Sequence, residues 1–137
     1  MSLDQPREFV KHQTTTRDAF LGGRLTLSQP RNGFRAGLDS VVLGAAVGAG
    51  RKRVLDLGAG VGTAALVALA LGRAEAAVLA ERHEQVVALA RQNVAENGFA
   101  GRAEVLALDI LDKPAARRIA GLKDNAFDAV IPNPPFF

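Results

Sequence analysis

From residue 51 onward the chain alternates between two kinds of apolar pattern. The stretches 54–57 (VLDL), 76–81 (AAVLAE), 103–109 (AEVLALD) and 127–133 (FDAVIPN) are short and rich in Val, Leu and Ala. Nearly continuous apolar runs of this length predict strands buried on both faces. Between them lie TAALVALALG (63–72), HEQVVALARQNVAENG (83–98) and DKPAARRIAGL (112–122). The first predicts an apolar helix closed by Gly72, and the second an amphipathic helix ending at Asn97-Gly98. The third predicts a short helix with Pro114 tolerated in its first turn. Strands and helices in alternation predict βαβ units and an α/β fold with a parallel sheet.

Upstream of residue 51 the rhythm is absent. LGG (21–23) and RNG (31–33) are turn signals, and RLTLSQ (24–29) between them alternates like a short strand. Residues 1–38 are therefore expected to form a basic N-terminal segment containing a hairpin, ahead of a sheet domain over 39–137. Asp39 and Ser40 suit the cap of a helix that runs through VVLGAAV and stops near Gly48 and Gly50.

Composition narrows the classes. At 137 residues, 48% apolar and 23% charged, the chain has the balance of one globular domain with a real core. It has no cysteine, which excludes a disulfide framework and a thiolate zinc site. No apolar run reaches the roughly 20 residues of a bilayer span, and MSLDQPREF carries charge where a signal peptide needs an apolar stretch. A cytoplasmic protein without membrane or metal is expected. The net charge is +3, but residues 1–53 hold nine Lys/Arg against four Asp/Glu. That basic front suits a polyanion such as nucleic acid, or is simply a solvated Arg-rich surface.

The candidate chemistry begins at Asp56-Leu57-Gly58-Ala59-Gly60-Val61-Gly62, where the first strand of the alternating region meets its helix. Such a loop lies at the carboxyl edge of a parallel sheet, where open α/β folds bind ligands, and its glycines let a ligand approach the backbone. Glu81 ends the next strand, where an acid suits two ribose hydroxyls, and Asp109 ends the third, where an acid suits an adenine amino group. Each acid alone could equally cap the following helix; three carboxylates ending successive strands on one edge favour a site. The glycines fall as G-x-G-x-G rather than the dinucleotide G-x-G-x-x-G. Asp56, two residues before the first, would repel a pyrophosphate and favours a cationic ligand. S-adenosyl-L-methionine, with its ammonium and sulfonium, fits better than a nicotinamide cofactor.

IPNPPFF (131–137) carries the second half of the chemistry. Pro134 and Pro135 fix the backbone and leave carbonyls to point at a partner. The Asn133 side-chain carbonyl and the Pro134 carbonyl can together accept both hydrogens of a planar amino group, and Phe136 offers a face for stacking. Drawing those hydrogens away frees the nitrogen lone pair for attack on an activated methyl. No general base is evident: His12 and His83 are poor candidates, and His83 reads as a surface residue at a helix start. Alone, a Pro-rich turn with aromatic packing explains this stretch equally well.

Together the loop 56–62, Glu81, Asp109 and Asn133-Pro134-Pro135-Phe136 resemble the class I S-adenosylmethionine-dependent amino-methyltransferases. The segment 16–47 is similar to the N-terminal part of the bacterial tRNA(Val) adenine-N6 methyltransferases. The resemblance implies a Rossmann-like parallel sheet of strand order 3-2-1-4, with the C-terminal strands of the usual seven absent. It also implies cofactor contacts from Asp56, Gly58, Ala59, Gly60, Glu81, Arg82, Asp109 and Ile110, with Asp39 closing the methionine pocket. Asn133, Pro134, Pro135 and Phe136 would hold the target, an anticodon-loop adenine of tRNA. Ending at the motif, the chain is expected to be an incomplete portion with weakened or lost activity and a fourth strand open to self-association. Two other readings stay open: methylation of a glutamine side chain in a protein, and a non-catalytic cofactor- or RNA-binding module.

Overall fold

The computed structural model describes residues 15–32, 37–109 and 127–132. Its elements in chain order are β1 (Thr15–Phe20), β2 (Leu25–Pro30), α1 (Leu38–Ala45), β3 (Arg51–Leu57), α2 (Thr63–Ala70), β4 (Ala74–Glu81), α3 (Glu84–Glu96), β5 (Ala103–Ala107) and β6 (Ala129–Pro132). β3 to β6 form one parallel sheet of order β5-β4-β3-β6. This is the expected 3-2-1-4 arrangement counted from residue 51. The short helix expected at 112–122 lies outside the described residues.

The central strand owes its place to its pattern. Val54 and Leu55 are buried on opposite faces of β3, with β4 on one side and β6 on the other. On one face Val54 and Leu79 join Leu66, Val67, Leu69, Val87 and Val94 from α2 and α3 in the main core. The opposite face gathers a smaller cluster of Leu55, Val78, Ala80, Leu106 and Leu108, with Leu57 and Phe127 packed against it. At the amino end of β3, the Asp128 carboxylate accepts the Lys52 and Arg53 N–H groups at 2.8 and 3.0 Å and sets β6 alongside.

β1 and β2 are an antiparallel hairpin closed by a short turn at Leu21–Gly23, where Gly22 and Gly23 take positive φ. It is not an appendage. Leu25 and Leu27 of β2 are fully buried in the main core, Arg17 pairs with Glu96 of α3 at 2.6 Å, and Arg24 donates to the carbonyl of Ala70 at the end of α2. A cation on the unpaired carbonyls of a helix end is the favourable polarity.

α1 departs from the expected cap. It begins at Leu38 with Gly37 as N-cap and no side-chain hydrogen bond to its free amides. Asp39 lies inside the first turn, where its charge still favours the positive helix end, and the helix ends at Ala45. α1 packs on α2 through Gly44: a Cβ there would stand 2.3 Å from the Ala64 carbonyl oxygen and 2.9 Å from Val67 Cβ. The backbones approach because Gly44 has no side chain.

Gly44→Ala must therefore push α1 off α2. Overpacking of this kind costs about 1–3 kcal/mol, so a melting temperature lowered by several degrees in calorimetry is expected. An unchanged melting temperature would show that the two helices do not meet at Gly44.

Candidate active site

The sheet brings the carboxyl ends of β3, β4 and β5 to one edge, with the 58–62 loop over them. Gly58, Gly60 and Gly62 all have positive φ, at 75°, 60° and 100°. The loop is pinned by its own backbone: the Gly58 and Ala59 N–H groups donate to the Ala80 carbonyl at 2.9 and 3.0 Å, and Gly62 N–H donates to Ala59 O at 3.0 Å. Beside Gly60 a Cβ would meet nothing within 4 Å, so this glycine answers to its φ and leaves open space above the loop.

Asp56 lies beneath that loop at 0% exposure, and neither carboxylate oxygen has a hydrogen-bond partner. Burial pushes its pKa up to about 7; the Ala65 amide pulls it down without reaching hydrogen-bond geometry, and the charge of Glu81 adds to the rise. The Thr63 hydroxyl, at the start of α2, is the third buried side-chain atom without a partner among the described residues. All three unmet atoms belong to one strand–loop–helix unit. Buried polar groups are normally paired, and each exception asks for an explanation. A carboxylate here wants a cation or a donor, and an ammonium group answers both.

Glu81 is placed differently. Its Oε1 accepts Gly60 N–H at 3.1 Å and its Oε2 accepts His83 N–H at 2.9 Å, with His83 Nδ1 at 3.0 Å. The acid thus ties the glycine loop to the start of α3, where His83 is exposed as expected and is also its partner. Asp109 faces Arg82 across a loose 3.8 Å ion pair, both about half exposed or less, while Leu108 N–H donates to Glu81 O. The edge therefore gathers Asp56, Gly58, Ala59, Gly60, Glu81, Arg82 and Asp109. Asp39 is exposed at the start of α1, on the helix that packs against α2. Ile110, Asn133, Pro134, Pro135 and Phe136 lie outside the described residues. β6 ends at Pro132, paired with Leu57 next to Asp56 in β3.

The residue pattern and spacing single out Asp56 and Glu81 but not Thr63, and not the His83 partnership. Thr63 is visible in sequence only as one more helix-start hydroxyl. Among the described residues no group of His, Asp and Glu could hold a metal ion, and no helix is long and apolar enough to cross a membrane.

Comparison with known proteins gives the family. Residues 40–137 match the family model of the methyltransferase small domain. The chain belongs to the methyltransferase small domain family. A tRNA1(Val) (adenine(37)-N6)-methyltransferase of Klebsiella pneumoniae is 36% identical over 88% of the chain and 48% of its own length. Among solved structures, a predicted O-methyltransferase of Agrobacterium tumefaciens is 39% identical, with a TM-score of 0.61 over 71% of the chain and 49% of its own. A SAM-dependent methyltransferase of the same organism, 23% identical, shares the fold with a TM-score of 0.65 over 89% of the chain and 40% of its own. The chain spans about half the length of the curated relatives it matches.

In this small methyltransferase domain the raised Asp56 pKa has a definite sign. The unfolded carboxyl titrates near 4 and the folded one near 7, so the folded state holds the proton between them. The stability this gives is full below about pH 4 and is lost as pH rises through about 7. Asp56→Asn, which carries no charge to bury, should melt several degrees above the wild type at pH 8. The gap should shrink to less than half by pH 5, measured by thermal melts across pH. A gap that is constant, or widens toward acid, would contradict the buried charge.

Proposed function

We propose that the chain is the cofactor-binding part of an S-adenosyl-L-methionine-dependent N-methyltransferase whose acceptor is adenine N6 in a tRNA. The observation that carries this reading is the Asp56 carboxylate, buried and unpartnered under the glycine loop at the end of the central strand. When bound, the cofactor supplies an ammonium group for that carboxylate and a methyl group already activated on a sulfonium. Gly58, Ala59 and Gly60 line its methionine part, and the Thr63 hydroxyl is a further donor on the same unit. Glu81 takes the ribose hydroxyls, exchanging its hold on Gly60 N–H for them. Asp109, Ile110 and Arg82 border the adenine, and Asp39 closes the methionine side.

Asn133 and the Pro134 carbonyl accept the two hydrogens of the acceptor amine, Pro135 stiffens the turn, and Phe136 stacks on the base. Because the methyl group arrives activated, positioning and electrostatics supply most of the rate. A base inside tRNA must be turned out of its stack to reach such a pocket. The exposed arginines of the hairpin, Arg17 and Arg24 among them, suit the phosphate backbone. The names of the curated relatives support adenine N6 as the acceptor. The name of the Agrobacterium O-methyltransferase makes the acceptor atom the point to test.

Two experiments check this. Calorimetry of the chain with S-adenosylhomocysteine should show binding that NAD does not, and that Asp56→Ala abolishes. Binding of NAD instead would sink the methyltransferase reading. Labelled methyl donor and tRNA, incubated with the chain in its native protein, should give N6-methyladenosine on digestion. Asn133→Ala should lower that transfer by about 100-fold, the scale of losing one positioned group at the reacting centre, and leave cofactor affinity within about twofold. Label found on a ribose oxygen or on a protein glutamine would contradict the proposed acceptor.

A further inference from the structure

α3 and its C-cap supply two asparagines one helical turn apart, Asn93 and Asn97, and both turn their side-chain amides onto β2. Asn93 Oδ1 accepts Ser28 N–H at 2.7 Å, and its Nδ2 donates to Ser28 O at 3.0 Å. Asn97 Oδ1 accepts Thr26 N–H at 3.0 Å, and its Nδ2 donates to Thr26 O at 2.9 Å and to Asn93 O at 2.8 Å. Each carboxamide thus meets the N–H and C=O of one strand residue, as a neighbouring strand would. The spacing permits it: four helical residues rise about 6 Å, and two strand residues about 6.8 Å. In an antiparallel pair alternate residues direct their backbone groups away from the partner strand. The helix therefore completes the open edge of the hairpin, an edge that otherwise invites other chains.

Asn93 does one thing that Asn97 does not. It is fully buried, and its Nδ2 also donates to the carbonyl of Val61, between Gly60 and Gly62, at 3.0 Å. One carboxamide thus holds β2 of the hairpin and the glycine loop that covers Asp56. We propose that Asn93 is a positioning residue of the cofactor site, coupling the N-terminal hairpin to the 58–62 loop. The inference rests on the cofactor reading above. By reciprocity of coupled equilibria, cofactor uptake should steady the hairpin, and loosening the hairpin at Asn93 should weaken cofactor uptake.

The test compares Asn93→Asp with Asn97→Asp in the whole chain. Asn93→Asp keeps the acceptor for Ser28 N–H but loses the donations to Ser28 O and Val61 O; Asn97→Asp loses the donations to Thr26 O and Asn93 O, neither of them on the glycine loop. Both should melt below the wild type. With S-adenosylhomocysteine at a temperature well below either melt, Asn93→Asp should bind at least tenfold more weakly, and Asn97→Asp within about twofold of wild type. Equal affinity for Asn93→Asp and wild type would overturn the inference, as would losses in both variants that simply track their melting temperatures. Should Asn93→Asp not fold, amide exchange on the wild type decides. S-adenosylhomocysteine should slow exchange at Ser28 N–H as well as at the loop amides, and slowing confined to the loop would overturn the coupling. A wild-type chain that binds no S-adenosylhomocysteine would sink the cofactor reading and this inference with it. Wild-type binding with an indifferent Asn93 sinks the inference alone.

Discussion

A carboxylate buried with nothing to pair with it is the constraint around which this domain is arranged. Asp56 costs folding free energy at neutral pH, because water is gone and no donor replaces it. The surrounding structure must hold it there. Strands pair on both sides of β3, apolar clusters pack on both faces, and α2 starts directly beyond the loop. The main core absorbs the cost. On the proposed reading, a cationic ligand group against Asp56 would supply the partner that the fold withholds, and poor satisfaction in the free protein would be the counterpart of affinity.

The second acid shows the opposite economy. Glu81 is satisfied by the protein itself, through Gly60 and His83. It holds the loop in its positive-φ shape while the site is free, and its hydrogen bonds are of the kind a pair of hydroxyls can replace. Two acids on neighbouring strands are therefore placed differently: one is buried without a partner, the other braces the backbone. The hairpin is tied to the same loop, since Leu25 and Leu27 share the core and Asn93 bonds both β2 and Val61 O.

Much of this was legible in the residues. The change from short apolar runs to longer helical ones marks the βαβ units, and the spacing of Asp56, Glu81 and Asp109 marks the edge where they end. The LGG turn and the alternation of 24–29 point to the hairpin, although TTRDAF, its first strand, carries no strong pattern of its own. What sequence could not reveal depends on contacts distant along the chain. Asn93 and Asn97 read as the polar stripe of an amphipathic helix, because nothing local tells a solvated amide from one that replaces a strand. Thr63 reads only as a helix-start hydroxyl, because its burial without a partner depends on what packs around it. The start of α1 misleads for a local reason: Asp39 is a good cap by type, but the helix begins at Leu38 with Gly37 as its N-cap.

If Asp56 takes a cationic ligand, it is partly protonated when free and must ionise on binding, so binding should release a proton. S-adenosylhomocysteine would be titrated into the chain by calorimetry at pH 6.5, in buffers of different ionisation enthalpy. At that pH an α-amino group, with a pKa of about 7.7–8.0, is already largely charged. With Asp56 near 7 when free, binding should release on the order of half a proton or more, and Asp56→Asn should abolish the buffer dependence along with most of the affinity. A binding enthalpy identical in every buffer would mean that Asp56 is already ionised or takes no part, and would contradict the account.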